Sequence, residues 1–147
     1  MSPQSYSPQS AVHGSTVHMN TIQKFEDIVA WQKARILTKE IYASTRVGDF
    51  ARDFGLKDQI QRASVSTMAN IAEGFDRGGD KEFIQFLSTS KGSCGEVKSH
   101  LYVALDQNYI APGTFQHLYS KADDVGKLIF GFMDYLRHSP LRGRKYS

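Results

Sequence analysis

Residues 81–107 read KEFIQFLSTSKGSCGEVKSHLYVALDQ, and this stretch decides the fold. Its apolar and small residues recur at alternating spacings of four and three, an average of 3.5 that is typical of helices packed knobs-into-holes. The residues of this seam are Phe83, Leu87, Ser90, Cys94, Val97, Leu101 and Ala104. The spacing predicts a long helix packed against other helices, with Asp80 as a suitable N-cap.

Two glycines, Gly92 and Gly95, lie in the middle of this predicted helix. A glycine inside a helix costs about 1 kcal/mol relative to alanine, because the flexible backbone must be ordered and no side chain is gained. We therefore expect a compensating contact at both positions. The close approach of another helix backbone would supply it.

Another helix is predicted from about residue 56 to residue 77, before the helix of residues 81–107. Residues 63–72 contain no charge, which is too wide an uncharged surface for a helix packed on one side only. We therefore expect this helix to contact neighbours on several sides, and its small residues to lie in a packing or subunit interface. The residues predicted for such an interface, with the two glycines above, are Ala63, Thr67, Asn70, Glu73, Gly74, Gly92 and Gly95.

Helical periodicity also predicts a first helix over Glu26 to Thr45 and a last helix from Pro112 to about His138. The connectors are short, which favours antiparallel neighbours. The segment between residues 47 and 55 has two glycines and no sustained period, so it is interpreted as an irregular connector. The sequence thus predicts an all-α protein, an antiparallel up-and-down four-helix bundle over residues 24–139.

The two ends of the chain differ from this body in composition. Residues 1–23 contain no Asp, Glu, Lys or Arg and are rich in Ser, Gln and Thr, so we expect a disordered extension. The chain has 18 Lys and Arg against 15 Asp and Glu, and the excess of three lies in Arg142, Arg144 and Lys145. The bundle is therefore neutral overall, and residues 140–147 form a short basic tail.

Several function classes have no support in the sequence. One cysteine, Cys94, cannot form an internal disulfide, which favours a reducing compartment such as the cytoplasm. Four-helix bundles that bind two metal ions use Glu-x-x-His pairs, and none occurs; Glu96 and His100 are four residues apart. We expect no metal, no cofactor, no membrane span and no enzyme activity, with His100 and His117 as surface or capping residues and Cys94 as an inert core residue.

The strings FEDIVAWQKA from residue 25, GLKDQIQRASVSTMANIAEGFDRGGDKEFIQFLSTSKGSCGE from residue 55 and HLYVALDQNYI from residue 100 carry a family resemblance. The chain resembles the four-helix-bundle proteins encoded in intervening sequences of bacterial 23S ribosomal RNA genes, some of which are described as ribosomal proteins. The accessory variability protein of diversity-generating retroelements is related to them. The resemblance implies a barrel-shaped homopentamer and, from the retroelement member, binding of nucleic acid and partnership with a reverse transcriptase.

Two functions follow as hypotheses. The first is an oligomeric scaffold or adaptor that contacts nucleic acid or a nucleic-acid enzyme, and the second is a protein-interaction module that binds no nucleic acid. A ring would gather the basic tails of five subunits in one annulus, which would strengthen a contact with a polyanion. The residues predicted to contact nucleic acid are Lys33, Arg35, Lys39, Arg46, Arg62, Arg142, Arg144 and Lys145.

Overall fold

The computed structural model describes residues 22–138, and within this range four α-helices pack together and no strand occurs. We number the helices α1 Val29–Thr45, α2 Phe54–Arg77, α3 Asp80–Asp106 and α4 Pro112–His138. Short 3-10 helices, Phe25–Asp27 and Gly48–Arg52, precede α1 and α2. The prediction of an all-α chain with four helices is confirmed for these residues.

Three helix starts differ from the sequence prediction. The first α-helix begins at Val29, because residues 25–27 form a separate 3-10 turn. The second begins at Phe54, inside the segment predicted as an irregular connector, because the carboxylate of Asp53 caps it and accepts a hydrogen bond from the backbone N–H of Leu56 at 3.0 Å. The third begins at Asp80, so Gly79 and not Asp80 occupies the N-cap.

The interior is an apolar cluster to which all four helices contribute. Every residue of the seam predicted in residues 81–107 is buried, which confirms that part of the prediction. The ring of Phe83 packs edge-on against Phe75 of α2, with centroids 6.0 Å apart, and against Phe132 of α4 at 5.3 Å. Burial of one such side chain contributes roughly 1.5–3 kcal/mol, so α3 links its two neighbours mainly through apolar contact.

Contacts between α2 and α3 follow a regular order along the two helices. Residues near the end of α2 contact the start of α3, since Phe75 packs on Phe83. Further back along α2, the backbone carbonyl of Thr67 accepts a hydrogen bond from the Ser90 hydroxyl. Both partners in that bond are buried, which satisfies polar groups that would otherwise cost stability.

The connectors before α2 and before α4 pack against each other at one end of the molecule. The rings of Phe50 and Tyr109 stack with centroids 5.4 Å apart. The Tyr109 hydroxyl donates a hydrogen bond to Asp53 at 2.9 Å, and the Leu56 amide and this hydroxyl together lower the pKa of the Asp53 carboxyl. These contacts hold the first turn of α2 in place.

Candidate functional site

The outer face of α1 carries two exposed cations, Arg35 and Lys39, and a third exposed cation, Arg46, is the C-cap residue of the helix. We call these three residues the α1 basic row. Successive helical residues turn by about 100°, so these three positions fall within about 40° of one another. At about 1.5 Å of rise per residue, the row is about 16 Å long. The opposite face of α1 contributes Ala34 and Leu37 to the core.

The α1 basic row has no acidic partner among the residues that the structure describes. The one acidic residue of α1, Glu40, points elsewhere: its Oε1 lies 2.7 Å from Nε2 of His117 on α4. No other carboxylate of residues 22–138 comes within 4 Å of the row's charged nitrogens. The row is therefore a local positive patch on a bundle whose total charge is neutral.

The first cation of the row packs on an aromatic side chain. The guanidinium carbon of Arg35 lies 5.9 Å from the centroid of the Trp31 ring, one helical turn away. Trp31 in turn packs edge-on against Phe25, with centroids 5.1 Å apart. A cation over an aromatic face is attracted by the ring quadrupole, so this pair restricts Arg35 without neutralising its charge.

The other cations predicted to contact nucleic acid do not join this row. Lys33 points about 160° away from Arg35 around α1 and is half-buried. Arg62 lies on α2, where its Nε is 2.8 Å from Oδ2 of Asp58, so a carboxylate already offsets its charge. The tail residues Arg142, Arg144 and Lys145 lie outside the described residues.

Three residues predicted for an interface on α2 are buried inside the chain. Ala63 and Thr67 are 4% and 0% exposed, and Gly74 is also buried. A Cβ atom on Gly74 would lie 2.6 Å from Cβ of Phe86 and 2.8 Å from Cδ1 of Phe83. All three residues therefore lie inside the chain, where Gly74 packs closely against α3, and they present little surface to a second subunit.

Asn70 and Glu73 make their hydrogen bonds within α2. The Asn70 amide nitrogen donates to the carbonyl and hydroxyl oxygens of Ser66, at 2.9 and 3.0 Å. Glu73 pairs with Arg77 one turn later, at 2.9 Å. A polar link to α3 is made instead by the neighbouring Ser66, whose hydroxyl lies 2.8 Å from the Ser93 hydroxyl.

The outer face of α3 is exposed and carries small residues. We call Ser88, Gly92, Gly95 and Ser99 the α3 small-residue face. A Cβ atom built on Gly92 or Gly95 would meet no atom within 4 Å. The close approach of another helix, expected to offset the cost of these glycines, is therefore not made within the described chain.

A groove of about 300 Å³ lies beside this face, between α3 and α4. Its lining includes Lys98 and Asp123, whose Nζ and Oδ1 are 2.9 Å apart, and Lys127, whose Nζ lies 3.2 Å from Oδ2 of the same carboxylate. The hydrogen bond between Lys98 and Asp123 lowers the pKa of the carboxyl and raises the pKa of the ammonium. Phe130, which is 54% exposed, also lines the groove.

The described residues offer few groups for metal binding or catalysis. No group of three or more His, Cys, Asp or Glu within residues 22–138 could hold a metal ion, and no helix there is long and apolar enough to cross a bilayer. Cys94 is 1% exposed, its Sγ donates to the Ala122 carbonyl at 3.0 Å, and burial raises its pKa to about 11. His117 is exposed as predicted, but His100 is half-buried and its Nε2 has no hydrogen-bond partner among the described atoms.

Two exposed apolar residues near the start of α2 were missed by the sequence prediction. Phe54 is 73% exposed and Val47 is 62% exposed. Both lie in the segment interpreted as an irregular connector. One signal was available, because Phe54 falls outside the periodic pattern that places Leu56 and Ile60 in the core.

Comparisons with known proteins agree with this architecture. Residues 26–131 match the family described as 23S rRNA-intervening sequence protein. A comparison with curated proteins gave no match. Among solved structures, the chain is similar to a protein of unknown function from the S23 ribosomal protein family of Bacteroides thetaiotaomicron, with a TM-score of 0.65 and 20% identity over 71% of this chain and 97% of that one. At this identity the similarity shows the fold alone.

Proposed function

This chain belongs to the 23S rRNA-intervening sequence protein family, and we propose that it is a non-enzymatic cytoplasmic scaffold that binds nucleic acid through the α1 basic row. The observation that carries the proposal is that Arg35, Lys39 and Arg46 are exposed on one helix face without an acidic partner among the described residues. Phosphate groups are the natural partners of such a row, because each contact releases counterions from the nucleic acid.

The binding we propose is electrostatic and depends on salt. Each phosphate neutralised on duplex DNA changes the slope of log K against log salt by about −0.9, so three contacts from one subunit would contribute a slope of about −2.7. Arg35 is held by Trp31, and the other two cations of the row are free of ion pairs in the described structure. The row would therefore meet phosphates without first breaking a salt bridge.

Neutralising the row tests the proposal. The variant Arg35→Gln, Lys39→Gln, Arg46→Gln should lose about 2.7 units of salt slope per bound subunit on duplex DNA, measured by fluorescence anisotropy at several salt concentrations. Arg62→Gln is the matched control, because Asp58 already pairs with that guanidinium. An unchanged slope in the triple variant would exclude the row as the site, and absence of binding by the unaltered chain at low salt would exclude nucleic-acid binding altogether.

We propose that the four helices form an antiparallel up-and-down bundle and that five copies form a ring. The contacts of Phe75 with Phe83, and of Thr67 with Ser90, support the antiparallel order, because positions further back in α2 meet positions further on in α3. Gly92 and Gly95 support a subunit contact, because nothing in the described chain occupies the space above them. A closed ring would present five basic rows together, which strengthens binding without new contacts.

The basic tail would add to this binding. Arg142, Arg144 and Lys145 supply the whole positive excess of the chain, and a ring would place 15 such charges close together. Deletion of residues 141–147 should reduce affinity and salt slope beyond the loss caused by neutralising the α1 basic row. If the deletion alone removes all binding, the tail and not α1 is the site.

A second candidate function is a protein-interaction module that binds no nucleic acid. The α3 small-residue face and the half-exposed Phe130 favour it, because this surface is suited to close packing with another protein. Purified protein that is oligomeric but shows no anisotropy change with RNA or DNA at low salt would support this function over the first.

A further inference from the structure

Phe54 has the highest exposure of the large apolar side chains in the described part of the chain, at 73%. We propose that it is a base-stacking platform at the end of the α1 basic row, and that the ligand is therefore single-stranded nucleic acid. This inference rests on the proposed function, since it names the class of nucleic acid that the same surface takes.

The contacts between α1 and α2 place Phe54 near the end of the row. The amide nitrogen of Gln61 donates to the hydroxyl of Thr45 at 2.8 Å, which fixes α2 beside the last residue of α1. Phe54 lies seven residues before Gln61, which is close to two turns, so both project from the same side of α2. Phe54 is thus about 10 Å along α2 from the residue that contacts the end of α1, where Arg46 follows directly.

Phe54 has one cation over its ring, and its neighbours in sequence also include the carboxylates of Asp53 and Asp58. The ammonium nitrogen of Lys57 lies 5.5 Å from the centroid of the Phe54 ring. Val47, which is 62% exposed, follows Arg46 in the chain. An aromatic ring beside positive charge is the combination with which sequence-tolerant single-strand binders hold nucleic acid, since the ring stacks on a base and the cations follow the backbone.

The start of α2 holds this ring on an ordered platform. Asp53 caps the helix through the Leu56 amide and also accepts from the Tyr109 hydroxyl. The ring of Tyr109 stacks in turn on the buried Phe50. A ring at the first position of a helix fixed in this way loses less freedom when a base stacks on it than a ring on a loose loop would lose.

Stacking and charge predict opposite preferences between single strands and duplexes. A row of cations alone prefers duplex, because the duplex has the higher charge density. A stacking platform prefers single strands, because their bases are free to stack, and each base stacked on an aromatic side chain contributes about 5- to 140-fold in affinity, from ~1–3 kcal/mol at ~1.4 kcal/mol per factor of ten.

The experiment measures the affinity of the full chain for deoxythymidine and uridine oligomers, for a duplex and for an abasic strand, all of equal length. We expect tighter binding to both single strands than to the duplex or the abasic strand. Phe54→Ala should weaken single-strand binding by about 5- to 140-fold and leave duplex binding and salt slope unchanged. Phe54→Trp should retain the preference, and Phe54→Leu, which keeps an apolar side chain but not the ring, should lose it.

The outcomes separate the two proposals. If the chain binds duplex and single strand alike and Phe54→Ala changes neither, the stacking inference fails and the proposed function stands. If no probe binds at low salt, both fail. If Phe54→Ala and Phe54→Leu both dissociate the oligomer in sedimentation while Phe54→Trp does not, the exposed ring serves subunit contact, and the stacking inference is overturned.

Discussion

The outer faces of α1 and α3 are both open to solvent, yet their chemistry differs. The α1 basic row has long cationic side chains without acidic partners among the described residues, whereas the α3 small-residue face has side chains too short to reach anything. Long flexible cations suit a mobile, hydrated polyanion, while glycines suit a rigid helix that comes close. The difference supports our proposal that α1 binds a ligand and that α3 contacts a second copy of the chain.

The largest effect should follow from filling the α3 small-residue face. Gly92→Leu with Gly95→Leu places two large side chains where the described chain leaves space, so the fold should persist while the oligomer dissociates completely. Sedimentation velocity would show monomer, and the far-UV circular dichroism spectrum would be unchanged. Gly113→Leu is the matched control, because its Cβ also meets nothing within 4 Å. An oligomer that survives the double substitution would refute the assignment of α3 to the subunit contact.

Charge reversal on α1 is expected to have the next largest effect. Lys39→Glu replaces an exposed unpaired cation by an anion and should weaken nucleic-acid binding at least tenfold at low salt, while leaving the oligomer intact. The measurement combines a binding titration with sedimentation of the same sample. Dissociation of the oligomer by Lys39→Glu would show that α1 and not α3 forms the subunit contact.

The inner side of α3 should respond to alkaline pH. Burial raises the pKa of Cys94 from its ordinary value of 9.0 to about 11, so the folded state favours the neutral thiol. The neutral thiol therefore contributes roughly 2–3 kcal/mol to the free energy of unfolding, at about 1.4 kcal/mol per pKa unit. This contribution is fully present below pH 9 and is lost as the pH rises to 11. Urea unfolding of the unaltered chain and of Cys94→Ala across this range should show a steeper decline for the unaltered chain. Equal slopes would contradict the burial of the thiol.

The smallest effects are expected from single alanine substitutions at the buried Gly74 and at the exposed Gly92. Gly74→Ala forces a Cβ to within 2.6 Å of Phe86, and overpacking of about 1–3 kcal/mol outweighs the roughly 1 kcal/mol gained in helix propensity. Gly92→Ala gains the propensity without any clash, so it should stabilise the isolated subunit by up to about 1 kcal/mol. Urea denaturation, at protein concentrations too low for assembly, should show that Gly74→Ala lowers the free energy of unfolding and that Gly92→Ala raises it. A change of the same sign in both variants would contradict the difference between the two positions.

The long seam of α3 could be predicted from the sequence because its spacing persists over many turns, and every residue of it is buried. The start of α2 could not be predicted, because it is fixed by Asp53 and by Tyr109, 56 residues further along the chain. The exposure of Phe54 was signalled only by its position outside the periodic pattern that places Leu56 and Ile60 in the core.

The candidate site could be predicted from the sequence only in part. The pattern identified the three cations of α1, but their lack of partners depends on Glu40 contacting His117, 77 residues away. Periodicity placed Ala63, Thr67 and Gly74 on one face of small residues, but it could not decide whether α3 or a second subunit covers that face. Only the packing of α2 on α3 resolves this.

Sedimentation velocity of a fluorescently labelled single-stranded oligonucleotide, mixed with the full chain at low salt, tests the central account most directly. If α3 makes the subunit contact and α1 binds the ligand, the label should sediment with a particle of five 16.5 kDa chains, and neutralising the α1 basic row should release the label from an intact particle. Sedimentation of the label alone beside a monomeric protein would contradict the account.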